Sequence, residues 1–161
     1  MALLALGHKV QAQQNEIIGA LAALNGKINV RFSIVDSLHP FTAKGLTELQ
    51  KDFVLSRQEI AEIKRVSKRS TGMKLGSSFI EGARLFSSVA FYKAYQSADS
   101  LSLSFIEKNK PFYIMSVPLF FSNGQKATID VDLIGSGGYT YLLVKKKDKW
   151  IIEKDFVRWV E

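Results

Sequence analysis

The chain has no cysteine in its 161 residues, which excludes disulfides, thiol catalysis and thiolate metal sites. That absence suits a reducing cytoplasm and a cysteine-poor exported protein equally. Histidine is scarce too. Only His8 and His39 occur, far apart in the sequence, so neither a histidine-based metal site nor any cofactor is expected. No apolar run approaches the length of a membrane span, and no transmembrane segment is expected. Acidic residues are in the minority, with 15 Asp and Glu against 22 Lys and Arg, giving a net charge of +7 and a pI near 9.6. Such an excess permits contact with nucleic acid, acidic polysaccharide or a membrane surface but selects none of them.

What is present is a globular composition, 47% hydrophobic and 23% charged, at a length that suits one domain. The stretch from Phe112 to Glu161 organises it. Phe112 to Ser122 is followed by Asn123-Gly124, residues that tolerate the positive φ of tight turns. Ala127, Ile129, Val131 and Leu133 then alternate with Thr128, Asp130 and Asp132, the period of a strand with one face buried and one wet. Gly135-Ser136-Gly137-Gly138 makes the next turn, Tyr139 to Val144 the next strand, and Lys145 to Lys149 a charged turn into Trp150, Ile151 and Ile152. The apolar residues of this last run change face around Lys154 and Asp155, which predicts a bend or bulge. Pro118 cannot donate to a ladder and places its strand at an edge or a bulge. Together these runs predict a four-stranded antiparallel meander.

Upstream, Val10, Ile17, Leu21 and Leu24 share a helical face that Asn25-Gly26 terminates, and a helix is expected from about residue 13. Residues 1–12 are apolar at the start and end in Val10-Gln11-Ala12, so a signal-peptide remnant and the opening of that helix both fit. Ile28 to Val35 alternates as a strand and runs into a turn at Asp36-Ser37-Leu38-His39-Pro40. Leu46, Leu49 and Phe53 are helically spaced. Ser56-Arg57-Gln58-Glu59 is a capping box for a second helix to about Ser70, with Ile60, Ile63 and Val66 inward. Between Ser77 and Tyr95 short strands and a helix compete, and a helix over about Arg84 to Gln96 is favoured. Leu101, Leu103 and Phe105 alternate with serines and suggest a further strand. The expected fold is α+β: one domain over residues 13–161, with N-terminal helices and one early strand packed on a twisted antiparallel sheet.

Few residues are of catalytic type. Asp36, Ser37 and His39 have the composition of a hydrolytic triad, but such close neighbours do not set a base between nucleophile and orienter, and a capping turn is the simpler reading. Asp130 and Asp132 project from one side of a strand, where they could share a proton or a cation; a wet face neutralised by Lys145 or Lys147 explains them more simply. The glycine turn lacks the following helix and Lys-Ser/Thr of a phosphate cradle. Lys64, Arg65, Lys68, Arg69 and Lys74 form the densest basic region and are candidate anion-binding residues, although without interleaved aromatics they suit a solvated face, and nucleic acid is not the expected partner. Phe86, Tyr92, Tyr95, Tyr139, Tyr141 and Trp150 are candidates to line a pocket for a small apolar ligand; an ordinary core would use the same residues.

Ser116-Val117-Pro118-Leu119-Phe120, Asn123-Gly124-Gln125-Lys126-Ala127, Gly135-Ser136-Gly137-Gly138, Tyr141-Leu142-Leu143-Val144-Lys145-Lys146, Lys149-Trp150-Ile151-Ile152 and Trp159 together resemble the C-terminal half of a group of uncharacterised bacterial proteins, many of them predicted to be exported. The resemblance covers roughly the last third of the chain and rests on structural motifs. Members often carry a cysteine pair around the glycine turn; Leu133 to Gly137 has none, so a clamped turn does not carry over. The Lys-Trp hairpin is also similar to cone-shaped folds of the nuclear-transport-factor and cystatin type. The resemblance, the possible signal remnant and the lack of a catalytic constellation together lead to the expectation of a periplasmic or secreted, non-enzymatic module that binds a protein or other ligand; without a signal remnant in residues 1–12 the cytoplasm is expected instead. A cone-fold pocket protein and a basic anion-binding protein are the alternatives.

Overall fold

The structure is a computed structural model that describes residues 15–24, 32–41, 46, 50, 55–76, 83–97, 100–109 and 111–160, with the backbone only at 100–103. Residues 15–23 form helix α1. There follow strands β1 (Phe32–Val35) and β2 (Ser37–Leu38), helix α2 (Arg57–Ser67), and strands β3 (Met73–Lys74) and β4 (Ala83–Phe86). Helices α3 (Ser88–Ser97) and α4 (Ser100–Lys108) lead into β5 (Phe112–Met115), β6 (Leu119–Phe121), β7 (Lys126–Leu133), β8 (Gly137–Lys146) and β9 (Lys149–Val160).

The architecture is α+β, as the sequence pattern predicts. One sheet runs β4-β1-β5-β7-β8-β9, with β6 also paired to β7, while β2 and β3 pair separately. From β5 onward every pairing is antiparallel, which is the expected meander. The other end of the sheet departs from expectation: β1 lies parallel to both β4 and β5. Parallel neighbours need crossovers, and the chain from β4 to β5 makes one through α3 and α4.

Several local expectations change for the same reason. The stretch 101–105 is helical, not a strand. Adjacent Phe105 and Ile106 both meet the cluster around Phe112, which a helix allows and a strand, pointing neighbours to opposite faces, does not. The helix expected over 84–96 is divided into β4 and α3, so both competing readings of that stretch are realised; residues 77–82 lie outside the described residues. The turn expected at 36–40 holds the short strand β2, and His39 bridges to Ser116. Asp36 does act as a cap, but of a distant helix: its Oδ1 accepts the Ser88 N–H at 2.8 Å. Ser122, Asn123 and Gly124 have positive φ of 52°, 55° and 75°, so the Asn-Gly turn spans more residues than its dipeptide. The bend in β9 is two register shifts, which leave Glu153 and Arg158 as the extra residues. Of the remaining expected elements, Ile28 to Arg31, Leu49 and Phe53 lie outside the described residues.

Both faces of the sheet are covered. On one, Ile17, Ala20 and Leu21 of α1 and Leu24 just after it pack on Ile34, Met115, Ile129, Leu143 and Trp150. Gly19 faces the Trp150 indole, where even a methyl would stand 3.0 Å from Cδ1, so the helix sits close because that residue has no side chain. On the other face Ile63 of α2 meets Leu119, Phe121, Leu142 and Phe156. Beside it, Phe91 and Ile106 of α3 and α4 meet Val35 and Phe112. Burying each such aliphatic or aromatic side chain contributes about 1.5–3 kcal/mol.

Candidate binding groove

The break between β5 and β6 shapes a recess. Val117 donates its N–H to the His39 carbonyl at 2.8 Å, ending the ladder on that side. Pro118 has no N–H to extend it, and Leu119–Phe121 pairs only with β7, so among the described residues the outer edge of β6 has no partner strand. That edge floors a groove of about 430 Å³ lined by Ile17 of α1, Val66 and Arg69 at the end of α2, Ser70 to Met73, and Val117 to Phe120. Among the described lining residues the side chains are apolar except for the Ser70 and Thr71 hydroxyls and the exposed Arg69. Phe120 forms its far wall and leans on Trp150 at 5.5 Å between ring centroids.

Beyond Phe120 lies a second recess of about 310 Å³, lined by Glu16, Asn123, Gly124, Gln125 and Lys145. Glu16 is clamped there by Lys145 Nζ at 2.6 Å and Trp150 Nε1 at 2.9 Å. The Lys145 hydrogen bond, against the opposing cost of burial and with help from Trp150, holds the Glu16 carboxyl below its usual range. The two recesses share Phe120 as a common wall. The predicted capping box forms, with Ser56 Oγ accepting the Glu59 N–H and Glu59 accepting the Ser56 N–H. Glu59 also accepts from the Ser122 hydroxyl at 2.9 Å and pairs with Lys126 at 2.8 Å, tying α2 to the β6–β7 turn. Burial pushes the Glu59 carboxyl up, but Lys126, Ser56 and Ser122 outweigh it and bring its pKa down to about 2.

A buried polar belt crosses the sheet face between the α2 cluster and the α3/α4 cluster. Ser116, Thr128, Asp130 and Thr140 are each fully buried. Asp130 was expected on a wet face beside Lys145 or Lys147; instead that face lies under helices, and Lys145 is on the other side with Glu16. Asp130 Oδ1 accepts from Thr140 Oγ1 at 2.6 Å and lies 3.6 Å from Arg158 Nε. Arg158 also binds Asp132, whose Oδ1 accepts the Trp159 indole N–H at 3.2 Å. Gly138 makes room for that indole, since a Cβ there would stand 2.1 Å from Trp159 Nε1. Asp130 Oδ2 and Thr128 Oγ1 are buried without a hydrogen-bond partner among the described residues. Burial raises the Asp130 pKa, against the Thr140 hydrogen bond and the fields of Arg158 and His39, with Asp132 adding to the rise.

The aromatic residues singled out in the sequence do not converge on one pocket. Tyr139, Tyr141 and Trp150 lie with the α1 cluster, where burial first and Asp155 next push the Tyr141 pKa up to about 12. Phe86 lies on the opposite face against Phe105 and Phe112, and Tyr92 and Tyr95 are exposed on α3 beside Phe91. Lys64, Arg65, Lys68, Arg69 and Lys74 are all exposed; Arg69 is the one that lines the groove, and Lys74 stands 3.6 Å from Asp36. Sequence reading missed Ile17, Val117 and Phe120 as groove residues and Arg158 as the partner of the aspartates. Pro118 is the sequence signal for the first group, because it marks where the ladder ends. Among the described residues no three His, Asp or Glu gather as a metal site, and no helix is long and apolar enough to cross a membrane. No protein-family model, no curated protein and no solved structure matches the chain.

Proposed function

We propose that this protein is a non-enzymatic binding module that takes an extended, acidic and apolar peptide segment of a protein partner along the edge of β6. The observation that carries the reading is the groove itself, a strand edge that is unpaired among the described residues and floors a recess with Arg69 at its wall. An added strand finds backbone partners on such an edge and side-chain pockets beside it. Charge complementarity selects an acidic segment: Arg69 continues the exposed basic surface of Lys64, Arg65 and Lys68. Among the described residues the groove lining carries no carboxylate or imidazole, which supports binding over catalysis. The resemblance of the C-terminal third to exported bacterial proteins supports an envelope or secreted setting.

Fluorescence anisotropy with short, terminally blocked peptides tests the reading. A labelled peptide alternating valine and glutamate is expected to bind saturably, and its valine–lysine counterpart is not. Arg69→Glu, at an exposed position, is expected to weaken binding by about tenfold, roughly 1.4 kcal/mol. Saturable binding of neither peptide, or affinity indifferent to Arg69→Glu, overturns the peptide reading. A volume of about 430 Å³ also suits a small apolar molecule, which is the second reading. Under it, a hydrophobic dye binds and the acidic peptide fails to displace it.

A further inference from the structure

The far edge of the sheet carries a surface independent of the groove. β9 is the terminal strand, and among the described residues no strand pairs with its outer edge. It carries Ile151, Val157, Trp159 and Val160 at 38, 53, 37 and 73% exposure, four of the exposed large hydrophobic residues. A long apolar edge strand is a template for pairing, and the features that normally discourage it are charges and bulges. Here both are arranged so that the strand complements itself.

Pairing with β8 fixes which way each residue of β9 points. Trp150, Ile152, Asp155 and Val157 oppose Lys145, Leu143, Tyr141 and Tyr139, on the face that α1 covers. Ile151, Lys154 and Phe156 oppose Val144, Leu142 and Thr140, on the face that α2 covers. The extra residue Glu153 causes the switch in alternation. In antiparallel pairing, opposed residues must share a face. A two-fold axis between Glu153 and Lys154 meets that requirement all along the strand.

We infer that β9 pairs antiparallel with the β9 of a second copy of this chain about that axis, joining two sheets into one. Glu153 then faces the partner's Lys154, twice over by symmetry. Ile151 falls beside the partner's Phe156, and Val157 beside the partner's Trp150, so two exposed side chains meet aromatics that are already buried in each copy. Ile152 lies across from the partner's Asp155. The one like-charged pairing sets Lys149 against the partner's Arg158, whose guanidinium is engaged by Asp132 and Asp130 on the sheet face. The bulge at Glu153 sits at the axis, where the irregularities of the two copies coincide; against a regular strand of another protein it would interrupt the ladder. This is the isologous contact of a two-fold dimer.

Sedimentation velocity on the intact chain tests the inference, because Glu153 and Lys154 are both exposed and their exchange spares the core. The wild-type chain is expected to sediment with twice its 18.0 kDa mass at micromolar concentrations. Glu153→Lys alone sets lysine against Lys154, and Lys154→Glu alone sets glutamate against Glu153; each is expected to be monomeric with an unchanged circular dichroism spectrum. Mixing the two single variants, or combining both changes in one chain, restores the opposed charges and is expected to restore the dimer. A wild-type monomer overturns the inference. So does a dimer that survives both single substitutions, or a charge exchange that fails to rescue.

Discussion

Asp130 is buried more completely than it is paired. One carboxylate oxygen is satisfied by Thr140 and neighbours Arg158, and the other has no hydrogen-bond partner among the described residues. A buried group of that kind costs about 1–3 kcal/mol relative to a satisfied one. Its folded-state pKa is raised, chiefly by burial, so the folded chain holds this proton more tightly than the unfolded chain does. The sign follows: the contribution of Asp130 to stability is best at low pH, and stability is lost as pH rises from the ordinary aspartate value of 3.8 through the raised one. Asp130→Asn keeps the shape and removes the charge. It is expected to raise Tm at pH 7 by a few degrees, for about 1–2 kcal/mol, with the gain shrinking as pH falls toward the aspartate range. Thermal unfolding of both proteins across pH measures this, and a variant less stable than wild type at pH 7 would mean that the charge is net favourable through Arg158. The sequence showed that Asp130 and Asp132 share a side. It did not show that the side is covered, because alternation reports which residues lie together and not which layer meets them.

At the scale of elements, the capping box of α2 was legible down to its atoms, since Ser56 and Glu59 satisfy each other within a single turn. What lay out of reach was the second use of Glu59, because its contacts with Lys126 and Ser122 depend on a turn more than sixty residues away in sequence. The same division explains the misread helix α4. Its alternating apolar residues fit a strand locally, and only the need to cross over between parallel strands, a property of the whole sheet, makes it a helix. The double role of Glu59 has a pH signature. A pKa depressed from 4.5 to about 2 contributes stability that is fully present above the ordinary glutamate value and is lost as pH falls toward the depressed one. Glu59→Gln is expected to cost about 1–2 kcal/mol near neutral pH, discounted for the partial exposure of the pair, and to cost progressively less below pH 4. Urea unfolding at pH 7 and pH 3 checks it; an equal loss at both would assign the effect to packing instead of charge.

For the whole molecule, the meander was legible because its turns and alternation are local, and the groove was not, because it joins α1, the end of α2 and the break at Pro118 from separate parts of the chain. That same distribution bears on cooperativity. The sheet is shared by a cluster under α1 on one face and two clusters under α2, α3 and α4 on the other; β8 contributes to clusters on both faces, and β7 adds the buried Thr128 and Asp130 opposite its α1 side. Unfolding either layer exposes the strands on which the other rests, so the layers are expected to unfold together, as small domains with one continuous sheet do. The two tryptophans report separately: Trp150 lies in the α1 cluster, and Trp159 reaches Asp132 on the opposite face. In Trp159→Phe the remaining indole follows the α1 layer, and in Trp150→Phe it reports the contact of β9 with Asp132. Within each variant the fluorescence midpoint in urea is expected to coincide with the far-ultraviolet circular dichroism midpoint, even though losing Trp150 lowers the stability of that variant. A Trp150 transition at lower urea than the loss of secondary structure would separate α1 from the sheet. The wall of the groove that holds Ile17 would then open before the fold does, and peptide affinity would fall in step with the Trp150 signal while the sheet remained intact.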